Sequence, residues 1–404
     1  MIVEPDGQVI AGAAGSMSAQ VEQRGHPAER ERAASKHAWE GASCVYLGFT
    51  PVMGLAQVIQ ILAMCDTMKS LGVETELLAY PEGPIVPSGR ELKESFGLSN
   101  VPNVVWVPVD SNKWIAALRR GWESVRAGRR HDFAYARHSM AALGALLGGS
   151  RHVILELHQP EIRKSDRLAL ELVRHSRRLH IVSISRRLAG ILAEAYGLDE
   201  STMIVAHCGT RLPIRRDYDA APASGRRLVA TYVGTFAAGR GLETIFAMAE
   251  RFPDIDFVLV GGGAPSEALT SNVEIRPWVP HDEVPELLAA SDILLMPSTR
   301  QLMMSDGTGG IGEYCSPLKM FEYLATGRSI VASNLPSIAE ILVDEFNALL
   351  VDELAVDDWC AALERLASDA ELRANLARGA VETAERHTLE QRVIGILDAV
   401  WSRP

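Results

Sequence analysis

The chain has 404 residues, 47% of them apolar and 23% charged, which suits a globular protein large enough for two domains. Its net charge of −11 argues against a nucleic-acid partner, and no apolar run approaches the roughly 20 residues that span a bilayer. Five scattered cysteines (Cys44, Cys65, Cys208, Cys315, Cys360) without CxxC spacing argue against a disulfide framework or a zinc site and suit a reducing cytoplasm, the expected location.

Residues 1–40 are rich in Ala, Gly, Glu and Arg without periodicity and lack the apolar core of a signal peptide, so a disordered extension or a mis-assigned start is expected there. The fold should begin near Gly41. Strands are predicted at Cys44–Phe49, Val73–Tyr80, Val104–Val109, Val153–Leu157, His180–Ser185 and Met203–Cys208. Helical periodicity is clearest at Leu55–Leu71 and Arg187–Tyr196. Continuous apolar strands separated by helices imply a parallel sheet covered on both faces.

The polar segment 212–227, with two prolines and neither period, reads as a linker. A second series follows at Leu228–Val233, Asp256–Val260, Val273–Trp278, Ile293–Met296, Ile330–Ser333 and Ala348–Val351, with helix from Asp357 to the end. The expected fold class is therefore α/β, with two Rossmann-like parallel-sheet domains, 41–211 and 228–385, facing across a cleft. Residues 386–404 should form a helix packing back toward the first domain. Ligands of such sheets bind at the strand C-termini, which places the expected site in the cleft.

Several strand-end loops carry chemistry. His158 follows the strand ending at Leu157, where a histidine faces the cleft. Gly234-Thr235-Phe236-Ala237-Ala238-Gly239-Arg240-Gly241 joins a strand to a helix. Glycines there let backbone N–H groups approach an anion, and Arg240 adds a permanently charged donor. Gly261-Gly262-Gly263 lacks GxGxxG spacing, which removes an NAD-linked reading and leaves close approach of a ligand to backbone. Asp254 and Asp256 open a strand instead of ending one, so no acidic pair stands ready for a metal. Trp278-Val279-Pro280 could present backbone to a base or hold a core tryptophan, and 307–312 could be a lid or an idle loop.

The segment Ser316-Pro317-Leu318-Lys319-Met320-Phe321-Glu322 starts a short helix that Gly327 ends, with Ser316 expected as N-cap and Pro317 as the first helical residue. A helix start seats phosphate well, and Glu322 falls on the stripe shared by Leu318, Phe321 and Ala325. A phosphate at the cap and ribose hydroxyls at Glu322 would together describe a nucleotide diphosphate.

Taken together, Tyr232-Val233-Gly234 with Arg240-Gly241, Val258–Gly263, Met296-Pro297-Ser298, Ser316–Gly327, and Glu340 through Asn347-Ala348-Leu349-Leu350 resemble glycosyltransferase family 4, a branch of the GT-B transferases. Weaker likeness covers Gly48–Gln60, Ala136-Arg137, Glu156-Leu157-His158 and the stretch from Val182 to Gly209. The resemblance implies a retaining, metal-independent transfer from a nucleotide diphosphate sugar, first a UDP-sugar, with no further cofactor. It assigns catalysis to His158, Arg240 and Glu322. Donor binding falls to Gly234, Thr235, Gly241, Gly262, Val279, Ser316, Pro317, Leu318, Lys319 and Glu322, the Ser316–Lys319 backbone holding phosphate and sugar. Gly48, Met53 and Gly54 would form an acceptor-side loop for a small molecule or glycan.

Three positions depart from the family pattern. Tyr314, with Glu313 beside it, stands where a first Glu is usual, Thr235 where an Arg follows the glycine, and Cys208 where Asn or Asp is common. A rival reading is therefore a catalytically degenerate protein that binds a nucleotide sugar as a regulatory or partner subunit. The absence of a spanning segment leaves peripheral membrane association open.

Overall fold

The computed structural model describes residues 37–49, 56–81, 86–108, 112–160, 163–216, 226–262, 270–281, 283–303 and 309–403. The expected extension 1–40 lies almost wholly outside these, as do the acceptor-loop residues Met53 and Gly54, Gly263, and most of the 212–227 linker. Residues 38–404 form one compact unit.

Its first half runs β1 Ser43–Phe49, α1 Ala56–Ser70, β2 Glu74–Ala79, α2 Gly89–Phe96, β3 Asn103–Trp106, α3 Lys113–Gly128, β4 Phe133–Ala136, α4 Ser139–Gly148, β5 His152–Leu157, α5 Lys164–Val173, β6 Leu179–Ser183, α6 Arg186–Tyr196 and β7 Ile204–Val205. The second runs β8 Leu228–Val233, α7 Leu242–Arg251, β9 Ile255–Val260, β10 Val273–Arg276, α8 Val284–Ala289, β11 Ile293–Met296, α9 Leu318–Thr326, β12 Ser329–Ser333, β13 Leu349–Val351, α10 Val356–Ser368, α11 Ala370–Arg386 and α12 Leu389–Trp401. All paired strands are parallel. The sheets have the orders β3-β2-β1-β4-β5-β6-β7 and β10-β9-β8-β11-β12-β13.

Alternation within each strand supplies a core on both faces of both sheets. Cys44 and Tyr46 of β1 pack with Val58 and Ile61 of α1 and with Val393 and Leu397 of α12. Val45 and Leu47 face the other way, onto Ala145 of α4, Leu170 of α5 and Leu188 of α6. The last helix thus belongs structurally to the first half. In the second half Leu294 and Met296 meet Phe321 and Leu324 of α9, while Ile293 and Leu295 meet Ile245 of α7 and Leu363 of α10.

Strand β4, in the middle of the first sheet, is absent from the strands expected on sequence. Several other strands are shorter than expected: β3 stops at Trp106, β10 at Arg276, and β7 keeps only two residues of Met203–Cys208. Trp278 is not a core residue; it is 54% exposed. Asp256 sits at the start of β9, ion-paired with Arg227 at 3.0 Å, away from the C-terminal strand ends. Among the described residues no helix is long and apolar enough to cross a membrane.

Candidate active site

Each sheet reverses strand order once, between β1 and β4 and between β8 and β11, and such switch points open a crevice at the strand C-termini. Gly48 and Arg137 stand at the first, Gly234 and Pro297 at the second. Gly48, with φ +99°, makes a bulge in β1 facing the His138 ring.

In the second half three groups converge behind β8. A Cβ on Gly234 would lie 2.7 Å from Lys319 Nζ, so only glycine lets the ammonium sit on the backbone here. The same Nζ rests 4.1 Å from the centroid of the Tyr232 ring, a cation–π contact. The Tyr232 hydroxyl donates to Thr235 O at 2.8 Å, fixing the loop. Gly241, at φ +71°, lets the loop cross Pro297, whose carbonyl would be 1.8 Å from a Cβ. Gly262 abuts the Trp278 indole, and Val279 is half-buried against the second core.

Lys319 Nζ and Arg240 Nε are both buried, and neither has a hydrogen-bond partner among the described residues. Burial first, then the positive charge of Arg240, push the Lys319 ammonium well below its ordinary value. A buried lysine nitrogen without a hydrogen-bond partner, set in the field of Arg240 and opposed only in part by Glu322, describes a place for an anion. A bound anion would restore the Lys319 pKa, so binding should draw in a proton between the depressed and the restored value. Titrating UDP in two buffers of different ionisation enthalpy should therefore reveal net proton uptake. Affinity should fall as pH rises through that window, and Lys319→Met should abolish the uptake.

Glu322 is half-buried and accepts from His281 Nε2 at 2.8 Å, a partner the sequence reading does not include. Ser316 is not the N-cap of α9. Pro317 takes that position with extended φ −74° and ψ 129°, so the helix starts at Leu318. The Ser316 hydroxyl instead accepts from Cys208 N of the first half at 3.0 Å.

The first half contributes His158 and a buried ion network behind it. Burial would raise Glu156, but Arg392 first, then His158, hold it well below the usual carboxylate range. Arg392 Nη2 of α12 donates to Glu156 Oε2 at 2.8 Å, and the Tyr135 hydroxyl of β4 also binds that oxygen. His158 Nε2 lies 2.5 Å from Glu156 Oε1. Burial, then Arg137, push His158 down to about 4, so it is neutral near pH 7. Because an ionised carboxylate only accepts, Nε2 carries the hydrogen and Nδ1 is left as an acceptor. Arg137 Nη1, whose charge acts on His158, and Gln159 Oε1 of the next residue are buried without partners among the described residues.

The halves are tied across the cleft. Glu340 accepts from Arg186 N and Arg187 N at the start of α6, at 2.7 and 2.8 Å, and from His207 at 2.7 Å. A carboxylate at a helix N-terminus meets free N–H groups and the positive dipole end. Ser185 donates to Tyr314 O at 2.7 Å, and Glu313 pairs with Arg187 at 3.0 Å.

Residues 227–369 match the family described as Glycosyl transferases group 1. The D-inositol 3-phosphate glycosyltransferase of Salinispora arenicola is 25% identical over 70% of this chain and 64% of its own length. The 2-deoxystreptamine N-acetyl-D-glucosaminyltransferase of Streptomyces fradiae is 28% identical over 46% and 54%. The chain thus spans less than two thirds of each of these relatives. In fold it is similar to a Rickettsia africae glycosyltransferase (TM-score 0.68, 12% identity, 90% and 99% covered). It is also similar in fold to Anabaena HepE crystallised with UDP-glucose (TM-score 0.65, 15% identity, 89% and 100% covered). Residues 227–369 thus carry the group 1 glycosyltransferase match, and the two parallel-sheet domains share the fold of solved glycosyltransferases.

Proposed function

We propose that this chain is a retaining, metal-independent glycosyltransferase that moves a sugar from a nucleotide diphosphate sugar, first a UDP-sugar, to a small-molecule or glycan acceptor. The observation that carries the reading is that Lys319 Nζ and Arg240 Nε are buried without hydrogen-bond partners among the described residues, with the charge of Glu322 acting on Lys319. The diphosphate would lie against these cations and the loop at Gly234, Thr235 and Gly241, with backbone from Ser316 to Lys319 at its distal end. Glu322 would accept the two ribose hydroxyls, and the backbone at Gly262 and Val279 would border the base.

As the bond from the anomeric carbon to the leaving oxygen breaks, its electron pair goes to the diphosphate, and Lys319 and Arg240 stabilise that growing charge. The acceptor hydroxyl then bonds the anomeric carbon on the same face, and the diphosphate is the nearest base for its proton. His158 Nδ1 would accept from a sugar hydroxyl and orient the donor.

Glu322→Gln keeps an acceptor for His281 but loses the charge toward the ribose. Nucleoside diphosphate binding should weaken by about 1–3 kcal/mol, read by calorimetry. Equal affinity would remove Glu322 from the site. The reading as a whole is tested by nucleotide release from a panel of nucleotide sugars in the presence of chelator, with and without sugar acceptors.

One observation favours the rival, a nucleotide-sugar-binding subunit without turnover. Glu313, next to the position of the missing motif Glu, is ion-paired with Arg187 at 3.0 Å. Donor binding with no release of nucleotide under any acceptor would decide for it.

A further inference from the structure

Helices α3, α4 and α5 pack side by side on one face of the first sheet, α4 between the other two. A helix normally turns its apolar stripe inward, yet each of these three also carries apolar side chains outward. On α3 they are Ile115, Leu118 and Trp122, spaced by three and four and therefore on one line; Leu118 is 75% and Trp122 59% exposed. On α4 Met140 and Leu147 are exposed, seven residues apart; on α5 Leu168 and Leu172, four apart. None of the seven is needed by the cleft.

The charge around them is one-sided. Between residues 115 and 178, ten Arg and Lys residues are exposed among those described, against two exposed acids, Asp132 and Glu171. The whole chain is at −11, so this face is a positive region on an acidic protein. Arg126, ion-paired with Glu123 at 3.1 Å, continues the α3 line of Ile115, Leu118 and Trp122, and Lys164 and Arg167 flank Leu168.

We propose that this face docks on an anionic lipid surface, the apolar side chains entering the interface and the arginines and lysines meeting headgroups. Apolar area and a polybasic surface are the two signals that together give stable peripheral binding. A second copy of the chain fits less well, because a twofold contact would press two positive faces together. Nucleic acid would match the charge but not seven exposed aliphatic and aromatic side chains.

The test uses the full chain and flotation with vesicles of zwitterionic lipid, with and without about a third of anionic lipid. The wild type should float with the anionic vesicles at least about tenfold more than with the neutral ones, and less as salt rises. Leu118→Ser with Trp122→Ser, and separately Arg129→Glu with Arg130→Glu, should each cut binding about tenfold while leaving nucleotide binding and thermal unfolding unchanged. No flotation at low salt, equal flotation with neutral vesicles, or unchanged flotation of both double variants would overturn the proposal. A concentration-dependent dimer dispersed by Leu118→Ser, without vesicle binding, would overturn it in favour of self-association.

Discussion

Replacing His158 with Ala should reduce sugar transfer by about 10²-fold or more while nucleoside diphosphate affinity stays at the wild-type level. The side chain belongs to the first half, whereas the diphosphate and ribose contacts proposed for the donor all belong to the second. Its partner would therefore be the sugar alone. His158 is neutral because burial and Arg137 push it down to about 4 from the ordinary 6.5. On acidification the imidazole gains its proton, and with it loses the Nδ1 acceptor, only near pH 4. The acid limb of turnover due to this group should lie there and not near 6.5. Arg392→Met offers a contrast, since it leaves the Glu156 carboxylate buried without its cation. It should cost about 3–5 kcal/mol of stability, seen as a lower Tm, together with an altered pH profile. Normal transfer by His158→Ala would make His158 a structural strand-end residue.

Arg240→Ala should lower turnover by about 10²–10³-fold and donor affinity by much less, because the charge it meets grows toward the transition state. Arg240→Lys should recover only part of the loss: one ammonium cannot reproduce the planar fork. The neighbour matters here. Lys319 remains in the alanine variant and, freed from the repulsion of Arg240, should hold its proton more firmly and keep the ground-state diphosphate bound. Steady-state kinetics with a fixed acceptor separates the two effects. Equal loss in kcat and in donor affinity would mean that Arg240 acts on the ground state alone.

Much of the frame was legible from hydrophobic pattern, because buried parallel strands are continuous apolar runs. Strand β4 escaped for a physical reason. Phe133-Ala134-Tyr135-Ala136 is four residues long, and its two alanines have little strand preference, yet packing on both faces makes it central. That omission also hid Tyr135, and with it the ion network behind His158. Arg392 lies 236 residues from Glu156, and only the return of α12 to the first half brings them together. Local spacing carries no trace of such a pair. The α9 start lies one residue later than its sequence suggests, because a serine before proline looks like a cap until the other half of the molecule claims its hydroxyl. Lys319 lies in the expected segment, where the pattern of a helix start points to its backbone. Its side chain matters through burial against Tyr232 and Gly234, which sequence alone does not display.

The central claim is that Lys319, Arg240 and Glu322 together seat a nucleoside diphosphate without a metal ion. Calorimetric titration of chelator-treated full chain with UDP, UMP and uridine tests it most directly. UDP should bind at least about tenfold more tightly than UMP and uridine more weakly still, a difference of at least roughly 1.4 kcal/mol for the second phosphate. Lys319→Met and Arg240→Ala should each narrow the gap between UDP and UMP. Binding of UDP no tighter than uridine, or only after magnesium or manganese is restored, would contradict the account.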